Sequence, residues 1–169
     1  VIGLTATPFR SNFGLLTDAG IFTDIAFDIT QKDEFVKLIN KGYLSALVPF
    51  ATNHKIDVSN VKITNGEYNQ QQLAKAVNVG DITEKILNDA IEVAKNRNKW
   101  LIFSSGIEHG KEICKYLNEK GILTTCVFGD LSNAERDKNI QDFKAGKYKA
   151  IVNYGVLTTG FDCPEIDCI

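Results

Sequence analysis

The chain has 169 residues, 44% hydrophobic and 24% charged, enough to bury the core of one ordinary domain and part of another. That balance excludes an intrinsically disordered segment. No apolar run approaches the roughly 20 residues of a membrane-spanning helix, so no membrane partner is expected. The 19 Lys and Arg oppose 21 Asp and Glu, a formal charge of −2, which excludes binding of nucleic acid by a uniformly basic surface and leaves only local contacts.

The four cysteines form no Cys-x-x-Cys pair and only two histidines accompany them. A structural metal site is therefore not expected, and reduced thiols in a cytoplasmic protein are. The sequence contains no Met and opens on the apolar run Val1-Ile2-Gly3-Leu4, which reads as a strand entered partway through a longer protein.

That run, closed by Thr5-Ala6-Thr7-Pro8, predicts a short buried strand entering a loop, because Pro8 cannot donate to a ladder. Partial alternation of Ile25, Phe27 and Ile29 predicts a second strand near Ala26–Ile29. Asp33 and Glu34 before apolar positions at helical spacing, with Gly42 as the stop, predict a short helix. Between Leu47 and Gly80 the pattern weakens. Val58, Val61 and Ile63 suggest one extended piece, and 70–77 a helix. Asp81-Ile82-Thr83-Glu84 opens a longer helix, with Ile82, Ile86, Leu87, Ala90, Ile91 and Ala94 on one face.

From there strand and helix alternate. Trp100–Phe103 is a strand, 108–118 a helix, 123–128 a strand, 134–143 a helix capped by Ser132 and stopped by Gly146, and 149–154 a strand. This order predicts an α/β fold with a parallel sheet and helices on both faces, whose ligands bind in the loops at the carboxyl ends of the strands. Those loops begin at Ser104, Gly129 and Gly155.

Two of the loops carry candidate chemistry. The small hydroxyls of Leu4-Thr5-Ala6-Thr7-Pro8 can bond both backbone and side chains at a strand end, although the segment alone also reads as a capped turn. In Val156-Leu157-Thr158-Thr159-Gly160-Phe161-Asp162-Cys163-Pro164, the glycine permits close backbone approach and the Thr hydroxyls can take phosphate oxygens. Asp162 can accept a ribose hydroxyl or order a water. By itself this run also reads as a polar loop.

Taken together, Gly3-Leu4-Thr5-Ala6-Thr7-Pro8 and Leu157-Thr158-Thr159-Gly160-Phe161-Asp162 resemble motifs III and V of superfamily 2 DEAD/DEAH-box-like helicases. Leu101-Ile102-Phe103-Ser104-Ser105 resembles motif IV. Phe128-Gly129-Asp130, Glu135-Arg136 and Phe143-Lys144-Ala145-Gly146 resemble the segment between IV and V. The wording of the first motif, the Ile21–Asp28 stretch and Gly42-Tyr43-Leu44 are most similar to RadD-type bacterial or phage DNA helicases.

The resemblance implies a motor of two RecA-like domains, with ATP and Mg2+ between them and nucleic acid, DNA favoured, lying across both. Residues 1–30 would be the tail of the first RecA-like domain, 31–80 a linker or insertion, and 81–169 the second RecA-like domain, cut before the arginine-bearing motif VI. Thr5 and Thr7 would couple hydrolysis to domain movement, and Gly160 and Asp162 would face the nucleotide. Ser104, Ser105, Thr158 and Thr159 would touch the nucleic-acid backbone. Such contacts position a strand without reading its sequence.

The sequence also departs from the family pattern. It has no Gly-x-x-x-x-Gly-Lys-Ser/Thr phosphate loop and no acidic box, so the chain alone is expected not to hydrolyse ATP. An RNA helicase, a restriction-enzyme motor subunit and a non-catalytic RecA-like binding module remain alternatives. Among single residues, His109 reads as a surface or capping residue, Arg136 as structural, and Trp100 as a packing residue.

Overall fold

The structure, a computed structural model, describes residues 2–5, 9–10, 14–18, 20, 22–29, 32–64, 66–77, 81–158 and 160–169. Val1–Phe50 and Ala51–Ile169 form two compact units.

In the first unit, β1 (Phe9–Arg10) pairs antiparallel with β2 (Gly14–Leu15). Helix α1 (Lys32–Asn40) forms where the sequence predicts it, with Asp33 and Glu34 in its first turn, where carboxylates oppose the positive end of the dipole. It ends at Gly42, whose φ of +76° suits the left-handed turn that a glycine makes without a Cβ clash.

Two expected strands are absent. Residues 2–5 carry no regular structure, and Ile2 and Leu4 are 94% and 96% exposed. Ala26–Ile29 likewise forms no strand, and Phe27 is exposed. An apolar run becomes a strand only where a neighbour takes its N–H and C=O groups, and no described strand lies beside either segment.

The second unit opens with a small hairpin of β3 (Ile63–Thr64) and β4 (Glu67–Tyr68), followed by α2 (Gln70–Val77) and α3 (Ile82–Val93). Then come β5 (Trp100–Phe103), α4 (Ile107–Glu119), β6 (Thr124–Val127), α5 (Asn133–Lys144) and β7 (Ala150–Asn153). The alternation read from the sequence is thus present, with each boundary within one residue of expectation. β5, β7 and β6 lie side by side in that order, all parallel. A bridge from Trp100 to Cys168 adds the end of the chain beside β5.

The period of two in the strands divides the core into two layers. Trp100, Ala150, Val152 and Phe128 face one way and pack with Leu87 and Ala94 of the α3 region and Ile113 and Leu117 of α4. Leu101, Ile151 and Val127 face the other way, against Phe143 of α5 and Leu157 and Cys163 of the last loop. Every residue of β7 is buried, which is why its sequence reads as nearly continuous apolar residues. Each fully buried Val or Ile contributes about 1.5–3 kcal/mol.

Local signals fix the helix ends. Ser132 and Glu135 form a capping box at the start of α5: the Ser132 Oγ accepts from the Glu135 N–H at 3.3 Å, and a Glu135 carboxylate oxygen accepts from the Ser132 N–H at 3.1 Å. Gly146, at φ +79°, ends the helix. Within α4, Gly110 is required for a different reason. A Cβ there would meet the Phe128 ring at 2.5 Å and the Ser104 Oγ at 2.8 Å, so its lack of a side chain lets α4 press onto the sheet.

Candidate functional site at the carboxyl edge of the sheet

In a parallel sheet all strands end on the same edge, so the loops after β5 and β7 emerge together. Asn153, the last residue of β7, ties them. It is 0% exposed. Its Nδ2 donates to the Ile102 carbonyl of β5 at 3.1 Å, and its Oδ1 accepts from the Leu157 N–H at 3.1 Å. Its own carbonyl accepts from the Ser104 N–H at 2.9 Å, with the Ser104 hydroxyl at 3.2 Å. One buried amide therefore sets both the Ser104 loop and the entry to the 154–164 loop.

Ser104 and Ser105 differ in what they can offer a ligand. The Ser104 hydroxyl turns inward, toward the Gly106 carbonyl at 2.9 Å and the Asn153 carbonyl. Its proton is committed to backbone. Ser105 instead meets His109, in the first turn of α4. The Ser105 N–H donates to His109 Nδ1 at 3.3 Å, and its hydroxyl lies 2.9 Å from the same nitrogen.

A nitrogen that accepts carries no proton, so the bonding pattern assigns the His109 proton to Nε2. Nε2 reaches Thr83 Oγ1 at 3.5 Å, and Thr83 donates onward to the Val77 carbonyl at 3.3 Å. Burial pushes the His109 pKa below its ordinary 6.5, against a smaller upward pull from Glu112. The imidazole is neutral at pH 7 and holds the Ser105 loop.

In the 154–164 loop, Thr158 and Asp162 are exposed. Gly160 adopts φ +71°, with nothing within 4 Å of where a Cβ would sit. Open space over a left-handed glycine leaves the backbone accessible to a phosphate or ribose. The loop is anchored behind by Leu157 and by Cys163, whose thiol donates to Glu165 Oε2 at 3.3 Å. Lys144 Nζ sits 5.4 Å from the Phe161 ring centre.

After β6, Asp130 pairs with Lys111 at 3.6 Å. Arg136 donates to the Leu131 carbonyl at 3.4 Å, a structural contact. Among the described residues no cluster of three His, Cys, Asp or Glu could hold a metal ion. A Mg2+ at this edge would be carried on nucleotide phosphates, as is common for that ion.

The second unit therefore holds Ser104, Ser105, Thr158, Gly160 and Asp162 on loops leaving one sheet edge. Thr5 belongs to the first unit, where it is exposed. Thr7 and Thr159 lie outside the described residues. Asn153 and the His109–Thr83 chain were missed by the sequence reading. A signal for the first was present, since an Asn closing the apolar strand Ala-Ile-Val needs a partner for its amide. None existed for the second, whose members are 26 residues apart.

A parallel sheet with helices on both faces and its binding loops on the carboxyl edge is the architecture of a RecA-like domain. The family described as helicase conserved C-terminal domain matches residues 82–169, and the chain belongs to it, among superfamily 2 helicases.

All of the chain is similar to 27% of a putative mitochondrial ATP-dependent helicase, irc3, of Schizosaccharomyces pombe, at 32% identity over 170 residues. A 51.5 kDa protein of a Lactococcus phage is 26% identical across 97% of this chain and 34% of its own length. The chain spans about a quarter to a third of these two relatives. Among solved structures, the Mycobacterium smegmatis helicase Lhr bound to ssDNA and AMP-PNP aligns over 53% of this chain and 13% of Lhr, with a TM-score of 0.48 and 19% identity.

Proposed function

We propose that this chain serves as the second motor domain, with part of the first, of an ATP-dependent helicase or translocase acting on DNA, of the RadD type. The observation that carries the reading is the Asn153 tie, which couples the Ser104-Ser105 loop to the Thr158–Asp162 loop. Coupled loops of this kind allow a nucleotide-driven shift in one to reach the other.

In this reading the open backbone at Gly160 and the exposed Asp162 carboxylate meet the nucleotide, the carboxylate accepting a ribose hydroxyl or ordering a water. Thr158 and Thr159 donate to backbone phosphates, while Ser104, committed to carbonyls, and Ser105, whose N–H and hydroxyl both face His109 Nδ1, shape the loop beneath them. Thr5 and Thr7 couple hydrolysis to movement. ATP, when bound, supplies the phosphoryl group whose transfer drives the cycle. The chain carries no phosphate loop of its own, so turnover belongs to the longer protein, in the cytoplasm.

The test is the ATPase rate of the full-length protein without nucleic acid and with single-stranded DNA, double-stranded DNA or RNA, beside Asp162→Ala. Stimulation by DNA that the variant loses is the expected result. Stimulation by RNA alone would replace DNA with RNA as substrate. Absence of turnover under every condition would replace the motor with a binding module.

A further inference from the structure

Helix α4 crosses β6 in a run of three rungs. Gly110, Cys114 and Asn118 are spaced four residues apart on the helix, about 6 Å per step. Phe128, Cys126 and Thr124 alternate on the same face of the strand and its extension, about 6.8 Å per step.

Both outer rungs are fixed by contacts. At one end the Phe128 ring fills the space beside Gly110, 2.5 Å from where a Cβ would stand. At the other, Asn118 Nδ2 donates to the Thr124 carbonyl and Thr124 N–H donates to Asn118 Oδ1, each at 3.0 Å. The matching steps place Cys114 opposite Cys126 on the middle rung. The contacts agree: Cys114 Sγ donates to the carbonyl of Thr124, two residues before Cys126 on the strand, at 3.5 Å. Both are free and half-buried against the same core layer.

We propose that Cys114 and Cys126 form a dithiol site that a hydroperoxide oxidises to an intrachain disulfide joining α4 to β6. The bond requires the two sulfurs to close to about 2.05 Å with their Cβ atoms about 3.5–4.5 Å apart, which side chains on facing rungs of a packed helix and strand are placed to do.

The first step is attack by the Cys126 thiolate on a peroxide oxygen. An S–O bond forms, the O–O bond breaks, and the departing oxygen takes up a proton equivalent to the one Cys126 released, leaving as water when the oxidant is hydrogen peroxide. Cys114 then attacks the sulfenic sulfur; the S–S bond forms, and the hydroxyl leaves with the Cys114 proton as a second water. Two thiols and one peroxide thus give one disulfide and two waters.

The surroundings favour this order. The neighbouring Cys114 thiol holds the Cys126 thiol down to about 7 against the opposing effects of burial and of the Asp130 carboxylate, and Lys111 adds a smaller downward pull. The same partnership pushes Cys114 up. Cys126 is therefore the attacking thiolate near neutral pH, and Cys114 the resolving thiol. Cys163 and Cys168 lack this arrangement: burial is the leading influence on each and raises both.

The test uses the purified chain treated with a small excess of hydrogen peroxide, alkylated without reduction and digested with trypsin. Cleavage after Lys111, Lys115, Lys120 and Arg136 isolates Cys114 in the peptide 112–115 and Cys126 in 121–136. The expected product is these two peptides joined, at their summed mass less two hydrogens. It is reversed by dithiothreitol and missing from Cys114→Ser and Cys126→Ser. Sulfinic or sulfonic acid on the two separate peptides, or cross-links formed equally with the 150–169 peptide, would overturn the proposal. Wild-type chain alone supplies that decision should either Ser variant fold poorly.

Discussion

Replacing Asn153 by Ala should destabilise the second unit by far more than its size suggests. The substitution leaves the Ile102 carbonyl without its side-chain donor and the Leu157 N–H without an acceptor, in a site with no exposure to water. A buried polar group stripped of its partner costs about 1–3 kcal/mol, so the two together cost about 2–6 kcal/mol. For a chain of this length that corresponds to a fall in Tm of about 6–18 °C.

Urea denaturation followed by far-ultraviolet circular dichroism measures the change, with an unaltered slope showing that the unfolded state is the same. Asn153→Asp serves as the second variant. It keeps the shape, but an ionised carboxylate cannot donate to the Ile102 carbonyl, so it should be at least as unstable. A loss below about 0.5 kcal/mol for Asn153→Ala, the range of ordinary surface substitutions, would refute the role given to this amide.

Gly110→Ala should cost about 1–2 kcal/mol in the same assay. The gain in helix propensity, about 1 kcal/mol, is outweighed by forcing the Phe128 ring and Ser104 aside; a variant as stable as wild type would show that α4 can lift from the sheet freely. Ser132→Ala should lose about 1 kcal/mol through the broken capping box of α5, and Ser132→Thr should retain most of it.

Hydrogen bonds from Lys138 and then Lys147 hold the Asp142 carboxyl below its ordinary 3.8. Because the folded value is depressed, this contribution is complete above about pH 4 and is lost as pH falls through the folded value. Asp142→Asn should therefore flatten the fall of Tm below pH 4, and an unchanged acid limb would contradict the assignment.

The alternation of strand and helix after residue 100 was legible because each element announces itself locally. Ser132 with Glu135, the left-handed glycine at 146, and four-residue apolar strands between helices need no distant information. The same reading failed at Ile2–Leu4 and Ala26–Ile29, where apolar residues suggested strands. Strand formation depends on a pairing neighbour, and periodicity within a segment carries no record of one.

The positions of Ser104, Thr158, Gly160 and Asp162 on loops could likewise be read from their place after strands. What those side chains do there could not be read. Ser104 spends its proton on carbonyls while Ser105 meets His109, a difference set by the turn into α4.

Composition, patterning and capping thus determined the fold class, the order of elements after residue 100 and the loops that carry the candidate site. The tertiary structure alone decided that β7 lies between β5 and β6, and that this central position makes Asn153 the tie between two loops. It also decided that two cysteines 12 positions apart face each other across α4 and β6. The physical reason is the same in each case. Local propensity acts over one or two turns of chain, whereas strand order, burial of an amide and the meeting of two thiols depend on which distant segments pack together.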